Sequence, residues 1–403
     1  MNIALIADVY PPLRTSGAVQ LRDLSIEMVR QGHRTVVLIP SHELSQPWLL
    51  EEMNGVQVLR LRAPRTKDVS YLRRTLAELL LPFFMLRNFR KSPLGCEKWD
   101  GVVWYSPTIF LGPMARALKN SSSCRSYLIL RDLFPEWAVD MGLMGRGLPY
   151  QFFKLVERFQ YSVADVIGVQ TPSSLPYFDR WVESGGRNVE VLQNWLTDAP
   201  DTGCSISLKE GPLAGRTILV YAGNMGVAQG MDVLLELAGR LRERKDLGFL
   251  FVGRGNDAHR LRDEAKKQVL DNVLFYDEID PAEIPGLYAQ CHIGLVTLDP
   301  RHKTHNIPGK FLSYMQAGLP VLASINPGND LVEIIQAERV GRVCTDKSVT
   351  TLQQQVQDLT AEVGRNADGI SRRCRLLAKR LFAPETAVIQ IMASLNNGTG
   401  RQP

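Results

Sequence analysis

The chain has 403 residues, 45% of them hydrophobic and 22% charged, with no low-complexity tract, which predicts a globular protein of two or three domains. Lys and Arg exceed Asp and Glu by only five, and without an aromatic-rich basic motif that excludes an obvious nucleic-acid reader. The six cysteines lack C-x-x-C spacing, so a reduced cytosolic compartment without structural zinc is expected.

Met1 leads into a strand-like run at 3–7 that lacks the basic start and cleavage site of a secretory leader. No apolar run reaches the ~20 residues a spanning helix needs. Residues 2–7 read as a buried strand that Asp8-Val9-Tyr10-Pro11-Pro12 ends. A helix over about 19–30 follows, with Leu21, Leu24, Ile26, Met28 and Val29 on its apolar face, and 35–39 is the next strand. Such a βαβ unit has its ligand edge beyond the C-terminal ends of the strands. Arg14, Ser16 and Gly17 fall on that edge, as ligand contacts or as a solvated loop.

Residues 60–98 hold ten cationic side chains against three acidic ones, a surplus of seven. Arg73 and Arg74 precede a run, 76–86, whose apolar residues cover more than one helical face, and Arg87, Arg90 and Lys91 follow it. The segment is too short to cross a bilayer. It suits the membrane interface, with Phe83, Phe84 and Met85 among acyl chains and the cations on anionic headgroups. The alternative is a Pro82-kinked helix packed on the N-terminal sheet.

Further strands are expected at 100–106, 126–130, 164–169 and 189–192, with helices at 108–118 and 149–163. The 126–130 strand ends in Arg131-Asp132-Leu133-Phe134-Pro135-Glu136, where a doubly wound enzyme presents polar chemistry. A paired surface turn is the other reading. Residues 198–212 are polar, glycine-bearing and poorly periodic, and read as a linker.

A second α/β pattern begins at 218. The strand 218–221 passes through Gly223, Gly226 and Gly230 into a helix marked by Val233, Leu234 and Leu237. Such a turn aims backbone N–H groups and a helix dipole at one spot, which suits a phosphate, although its spacing is neither a P-loop nor the dinucleotide fingerprint. Glycines used only for packing give the same pattern. Strands at 247–252, 273–276, 293–298 and 321–325 alternate with helices at 259–268, 284–290 and 310–317. A long helix over 371–395, broken at Pro384, is expected after them.

The segments Leu130-Arg131-Asp132-Leu133-Phe134-Pro135-Glu136, Gln193-Asn194-Trp195, 221–232 (YAGNMGVAQGMD), Val252-Gly253-Arg254-Gly255 and 308–321 (PGKFLSYMQAGLPV), together with 21–37, resemble the retaining glycosyltransferases of family 4, and within them the bacterial WbuB-like group. The resemblance spans 1 to about 345 in order. It implies a GT-B fold: two doubly wound Rossmann-like domains facing across a cleft, with a C-terminal helix crossing back to the N-domain. The expected division is an acceptor-binding domain at 1–198 (membrane segment 60–98), a linker at 199–214, a nucleotide-sugar domain at 215–375 and the crossing helix at 376–403. The implied reaction moves a sugar from a nucleotide diphosphate, expected to be UDP, to a polyprenyl-diphosphate-linked sugar during O-antigen or capsule synthesis. N-acetylfucosamine is the sugar associated with the group. A peripheral position on the inner face of the bacterial plasma membrane follows.

The donor contacts this implies are Gly223, Asn224, Met225, Gly226, Gln229, Arg254, Ile279, Pro308, Gly309, Lys310, Phe311 and Ser313. Asn224 and Gln229 stand where many family 4 enzymes have Arg and Lys, and Ser313 stands where a ribose-binding Glu is usual. The expected charge partners of the diphosphate are therefore the N–H groups of 223–226, Lys310 and Arg254. Arg14, Ser16, Gly17, Arg131 and Glu136 are expected at the acceptor, and Asp132 is expected to orient the sugar or the acceptor hydroxyl. No cofactor and no metal are expected, and His302 and His305 read as loop residues. Two other classes fit parts of the pattern: a nucleotide-sugar epimerase of similar shape, and a catalytically silent membrane-associated subunit.

Overall fold

The structure, a computed structural model, describes residues 1–13, 15–67, 69–183, 188–226, 229–299, 307–346 and 348–396. The chain forms two α/β units. One comprises Met1–Leu196 and the chain from Ala383 onward, the other Thr197–Phe382.

The first unit is built on β1 (Asn2–Ile6), β2 (Arg34–Ser41), β3 (Trp48–Met53), β4 (Val56–Arg62), β5 (Gly101–Ser106), β6 (Arg125–Leu130), β7 (Val166–Val169) and β8 (Asn188–Val191), in the order β3-β4-β2-β1-β5-β6-β7-β8. Its helices are α1 (Ser16–Arg30), α2 (Tyr71–Phe89), α3 (Gly112–Ser122), α4 (Glu136–Asp140), α5 (Leu148–Val163) and α6 (Asp179–Glu183). All strand neighbours are parallel except β3, which turns back on β4 through Asn54 and Gly55, both at positive φ, the chemistry of a tight two-residue hairpin. The inner strands are buried on both faces, so their sequences run apolar without alternation. Helices α2, α3 and α5 cover one face, where Leu81, Met85 and Phe89 join Trp104, Met114 and Tyr161. On the other face, Leu21, Leu24 and Met28 of α1 meet Val388, Ile391 and Met392 of the C-terminal helix Pro384–Asn396. The strand order reverses between β1 and β5, which places the ligand-binding crevice of such a sheet there.

The basic stretch at 60–98 is therefore not one segment. Arg60 and Arg62 belong to β4, where Arg60 pairs with Glu51 and donates to the Pro11 carbonyl at 2.8 Å. The helix spans 71–89, and Met85, expected among acyl chains, is fully buried. Leu81, Met85 and Phe89 recur every four residues and form the inner stripe. Phe83 and Phe84 are on the outside, 56% and 40% exposed.

The second unit has β9 (Thr217–Ala222), β10 (Leu247–Val252), β11 (Val273–Tyr276), β12 (Ile293–Thr297), β13 (Val321–Ser324) and β14 (Gly341–Cys344), all parallel, in the order β11-β10-β9-β12-β13-β14. Its helices are α7 (Asp232–Arg240), α8 (Ala258–Lys267), α9 (Ile284–Tyr288), α10 (Gly309–Ala317), α11 (Asp330–Glu338) and α12 (Val349–Leu381). The order reverses between β9 and β12. Strand β14 is an addition to the sequence reading. So is the early start of α12, which bends at Asn366 and remains in the second unit up to Phe382. The stretch read as a linker is packed on this unit: Ile206, Leu208 and Leu213 are buried, and Gln290 accepts from the Leu208 N–H and donates to the Ile206 carbonyl, both at 2.9 Å.

Both units are thus Rossmann-like, parallel sheets layered by helices. No helix among the described residues is long and apolar enough to cross a membrane.

Candidate active site

In the second unit the loop after β9 lies against the loop after β10. The Gly223 N–H donates to the Val252 carbonyl at 2.9 Å and the Met225 N–H to the Arg254 carbonyl at 2.7 Å. This close approach explains the Gly-x-Gly after β10: a Cβ on Gly253 would stand 2.0 Å from the Gly223 oxygen, and one on Gly255 would stand 2.3 Å from the Met225 oxygen. The Gly226 N–H donates to Gln229 Oε1 at 3.0 Å, and Asn224 Nδ2 lies 3.5 Å from the same oxygen. Three of the four N–H groups expected to receive a diphosphate are therefore already engaged. The side chain of Met225 also points inward, 1% exposed in the core beneath the loop.

Tyr314 seats α10 by accepting from the Ala222 N–H at 3.3 Å and donating to the Val220 carbonyl at 3.0 Å. It packs so tightly on β12 that a Cβ on Gly294 would lie 2.4 Å from its ring. This anchoring puts Lys310 Nζ 3.6 Å from the centre of the Tyr221 ring, beside Gly223. Burial pushes the amine down to about 7, because the charged form loses hydration. Among the described residues no carboxylate pairs with it. The cap before α10 is Pro308, without a side-chain hydrogen bond, so the orphan N–H groups of the first turn are not covered by a cap side chain. The arrangement is a desolvated cation and a helix N-terminus at the switch point of a parallel sheet, which matches an anionic phosphate.

The remaining donor-side expectations divide. Arg254 is exposed and pairs with Glu278 at 3.2 Å. Gly309 is exposed, and Pro308 and Ile279 are half-buried. Ser313 donates back to the Gly309 carbonyl at 3.4 Å, within its own helix. Phe311 is a correction: it is fully buried, edge-on to Phe382, and cannot contact a ligand without unpacking the core. His302 and His305 lie outside the described residues.

In the first unit, Ser16 and Gly17 open α1 at the C-terminal edge of β1, with Thr15 as the cap and Gly17 packed close to Tyr105 and Val9. Arg14 lies outside the described residues. Asp132 is half-buried after β6. Arg131 departs from the expectation of an acceptor contact. It donates to the Leu192 carbonyl at 2.7 Å and to the Gln193 carbonyl at 3.3 Å, and stacks 4.9 Å over Trp195, as a bracket between β6 and the segment after β8. Glu136 accepts from Tyr150 at 2.9 Å and pairs with Lys154 at 3.1 Å, so its charge is compensated inside the unit.

Asp8 was missed by the sequence reading. It follows β1 at the switch point, and its Oδ1 is sealed from solvent with no hydrogen-bond partner among the described residues. Burial raises its pKa against the pull of Lys67 and Arg74. The available signal was an aspartate two residues beyond a largely buried strand, where polar chemistry is presented.

Two Rossmann-like units of parallel sheet, with a partly desolvated lysine at the switch point of the second, are the architecture of the GT-B fold. Residues 216–362 match the family described as glycosyl transferases group 1, so the second unit is a glycosyltransferase domain and the chain is an enzyme of that class. Over 315 residues the chain is 26% identical to a protein of Escherichia coli (strain K12) named as a colanic acid biosynthesis glycosyl transferase, WcaI, covering 73% of this chain and 76% of the relative. A Pseudomonas aeruginosa protein named as a glycosyltransferase, WbjE, is 25% identical over 315 residues, 73% of this chain and 74% of its own. In fold the chain is similar to WaaG, a glycosyltransferase involved in lipopolysaccharide biosynthesis, with a TM-score of 0.66, 16% identity and coverage of 96% of this chain and 99% of that one. Anabaena HepE, solved with UDP and glucose, gives a TM-score of 0.66 at 14% identity over 98% and 99% of the two chains.

Proposed function

We propose that the protein transfers a sugar, with retention of anomeric configuration, from a UDP-linked donor to a polyprenyl-diphosphate-linked sugar in bacterial surface polysaccharide assembly. The observation that carries the donor side is Lys310, a half-buried, partly desolvated amine with no anionic partner among the described residues, beside the loop after β9. It meets the charge that develops on the β-phosphate as the glycosidic bond to the anomeric carbon breaks. The first-turn N–H groups of α10 assist it, and Arg254 leaves Glu278 to do the same. Asn224 and Gln229 hydrogen-bond the phosphate oxygens once the donor displaces the Gln229 contact to Gly226. Ile279 borders the base. In the first unit, Arg14, Ser16 and Gly17 line the acceptor and Asp132 orients its hydroxyl. The acceptor oxygen bonds to the anomeric carbon on the face the phosphate leaves, and its proton passes to a departing phosphate oxygen. No protein nucleophile is required.

WcaI and WaaG are named for surface polysaccharide and lipopolysaccharide work, and HepE was solved with UDP, which supports this donor and this setting. An N-acetylated amino sugar such as N-acetylfucosamine is the first donor sugar to test. The α2 helix, with Arg73, Arg74, Arg87, Arg90 and Lys91 exposed around Phe83 and Phe84, holds the enzyme on the inner face of the plasma membrane where a polyprenyl carrier resides.

The test is to incubate the protein and a lipid-diphosphate-sugar acceptor with UDP, GDP and dTDP sugars, with a chelator present, and to weigh the lipid by mass spectrometry. A product heavier by one sugar with a UDP donor is expected. Nucleotide binding without any product would contradict transfer and favour a silent partner subunit.

A further inference from the structure

Helix α2 is not alone in exposing a large apolar stripe. On α2, Leu72, Leu76, Leu79, Leu80 and Phe83 recur at helical spacing and are all exposed, Leu72 by 86%. On α5 the outward residues are Leu148, Phe152 and Leu155, at i, i+4 and i+7, with Leu143 just before the helix; Leu148 is 86% and Leu155 67% exposed. One stripe on one helix is a common accident of a surface. Two parallel stripes in one layer need a reason.

The two helices belong to the same layer. Helix α2 packs on α3, α3 packs on α5, and all three cover the same face of the first sheet. Residues that point away from that face on α2 and on α5 therefore look in the same direction. The charges agree as well. On α2 the one acid, Glu78, pairs with Arg74 at 2.8 Å. Over 141–163 the exposed ionisable side chains are Arg146 and Arg158, while Glu157 is buried against Lys154 at 2.6 Å and Tyr177 at 2.6 Å. Helices α2 and α5 themselves expose cations and no unpaired carboxylate beside their stripes; Asp140, which ends α4 three residues before Leu143, is an exposed acid outside both helices.

We propose that the α5 stripe is a second membrane-contact site, so that the protein lies on an anionic bilayer through the outer surface of the α2–α3–α5 layer and not through α2 alone. This rests on the membrane reading given above and extends it to residues outside the basic segment. A bilayer is favoured over a second copy of the chain because a two-fold contact through this face would set its cations against themselves, whereas anionic headgroups neutralise them while the leucines enter the acyl boundary. Two separated lines of insertion also fix the orientation of the first unit, which a single helix free to roll does not.

Flotation of the full-length protein with vesicles of phosphatidylcholine and phosphatidylglycerol tests this, comparing wild type, Leu148→Ser/Leu155→Ser on α5, and Leu76→Ser/Phe83→Ser on α2. All four positions are exposed, so folding is retained and is checked by thermal melting. Each pair is expected to lower vesicle affinity by about tenfold or more, and the combined variant to abolish binding. A tryptophan introduced as Leu155→Trp is expected to be quenched by brominated lipid. Unchanged binding of the α5 pair, with loss confined to the α2 pair, would overturn the second contact and leave the α2 reading intact. Absence of vesicle binding by the wild type would overturn both. A wild-type dimer that the α5 pair converts to monomer, with vesicle binding unchanged, would show that the stripe serves a second copy and would likewise overturn the proposal.

Discussion

The two switch points carry opposite charges. At the β9/β12 edge a half-buried amine without an ion pair among the described residues, Lys310, lies over the Tyr221 ring; at the β1/β5 edge a half-buried carboxylate, Asp8, has one oxygen sealed from solvent without a partner among them. Both units reverse strand order at the edge concerned, and in the proposed reading the difference reflects what each edge receives. A desolvated amine pays its hydration cost only against an anion, which suits a diphosphate. A sealed carboxylate is matched by hydroxyl donors, which suits a sugar. In the proposed reading, one scaffold used twice with the sign reversed separates donor from acceptor chemistry.

The largest effect expected from breaking this contrast comes from Lys310→Met. Removal of the cation from the departing phosphate should lower kcat by about 10²–10³-fold, with Tm little changed because methionine fills the space over Tyr221; a steady-state assay with saturating donor reads it. Asp8→Asn keeps the shape and removes the charge. It should raise KM for the acceptor by about tenfold or more through loss of a charge-assisted hydrogen bond, and leave UDP affinity, measured by calorimetry, unchanged. A matching fall in UDP affinity would erase the distinction between the two edges.

The pH dependence sharpens the donor half. Burial sets the free Lys310 amine at about 7, so below that value the cation is present and UDP affinity is level. Above it the amine is neutral in the free enzyme, and binding must recruit a proton, with affinity falling by up to about tenfold per pH unit until the amine of the complex titrates. The Lys310→Met variant should lose this slope. The smallest effect is expected from Gln229→Lys, which frees the Gly226 N–H and adds a cation at the loop. UDP should bind a few-fold tighter, on the order of one charge-assisted hydrogen bond at a wet rim.

Much of this arrangement was legible in the sequence, and its limits have physical causes. Continuous apolar runs identified most strands, and the glycines after β9 and β10 marked the phosphate-sized edge. The Asn54-Gly55 turn was also legible as a hairpin signal, yet β3 and β4 were overlooked because Arg60 and Arg62 drew those positions into a charge count. Direction was the harder problem. In Lys310-Phe311-Leu312-Ser313-Tyr314-Met315 four of the six residues are apolar or aromatic, too many for one helical face, so periodicity cannot tell that Phe311 faces Phe382 while Lys310 turns to Tyr221. Met225 failed in the same way, a core anchor within a loop read as ligand-facing. Arg131 looked like an acceptor cation because it ends a strand. Its partners are the carbonyls of Leu192 and Gln193, some 60 residues away, and no local pattern reports them.

The central claim is that Lys310 is the phosphate-recognising group, and calorimetric titration of wild type and Lys310→Met with UDP and with uridine tests it most directly. The account predicts that wild type prefers UDP over uridine by about 10²-fold or more, and that the variant binds both with nearly the affinity wild type has for uridine. An unchanged preference for UDP in the variant would contradict it and place the diphosphate elsewhere on the second unit.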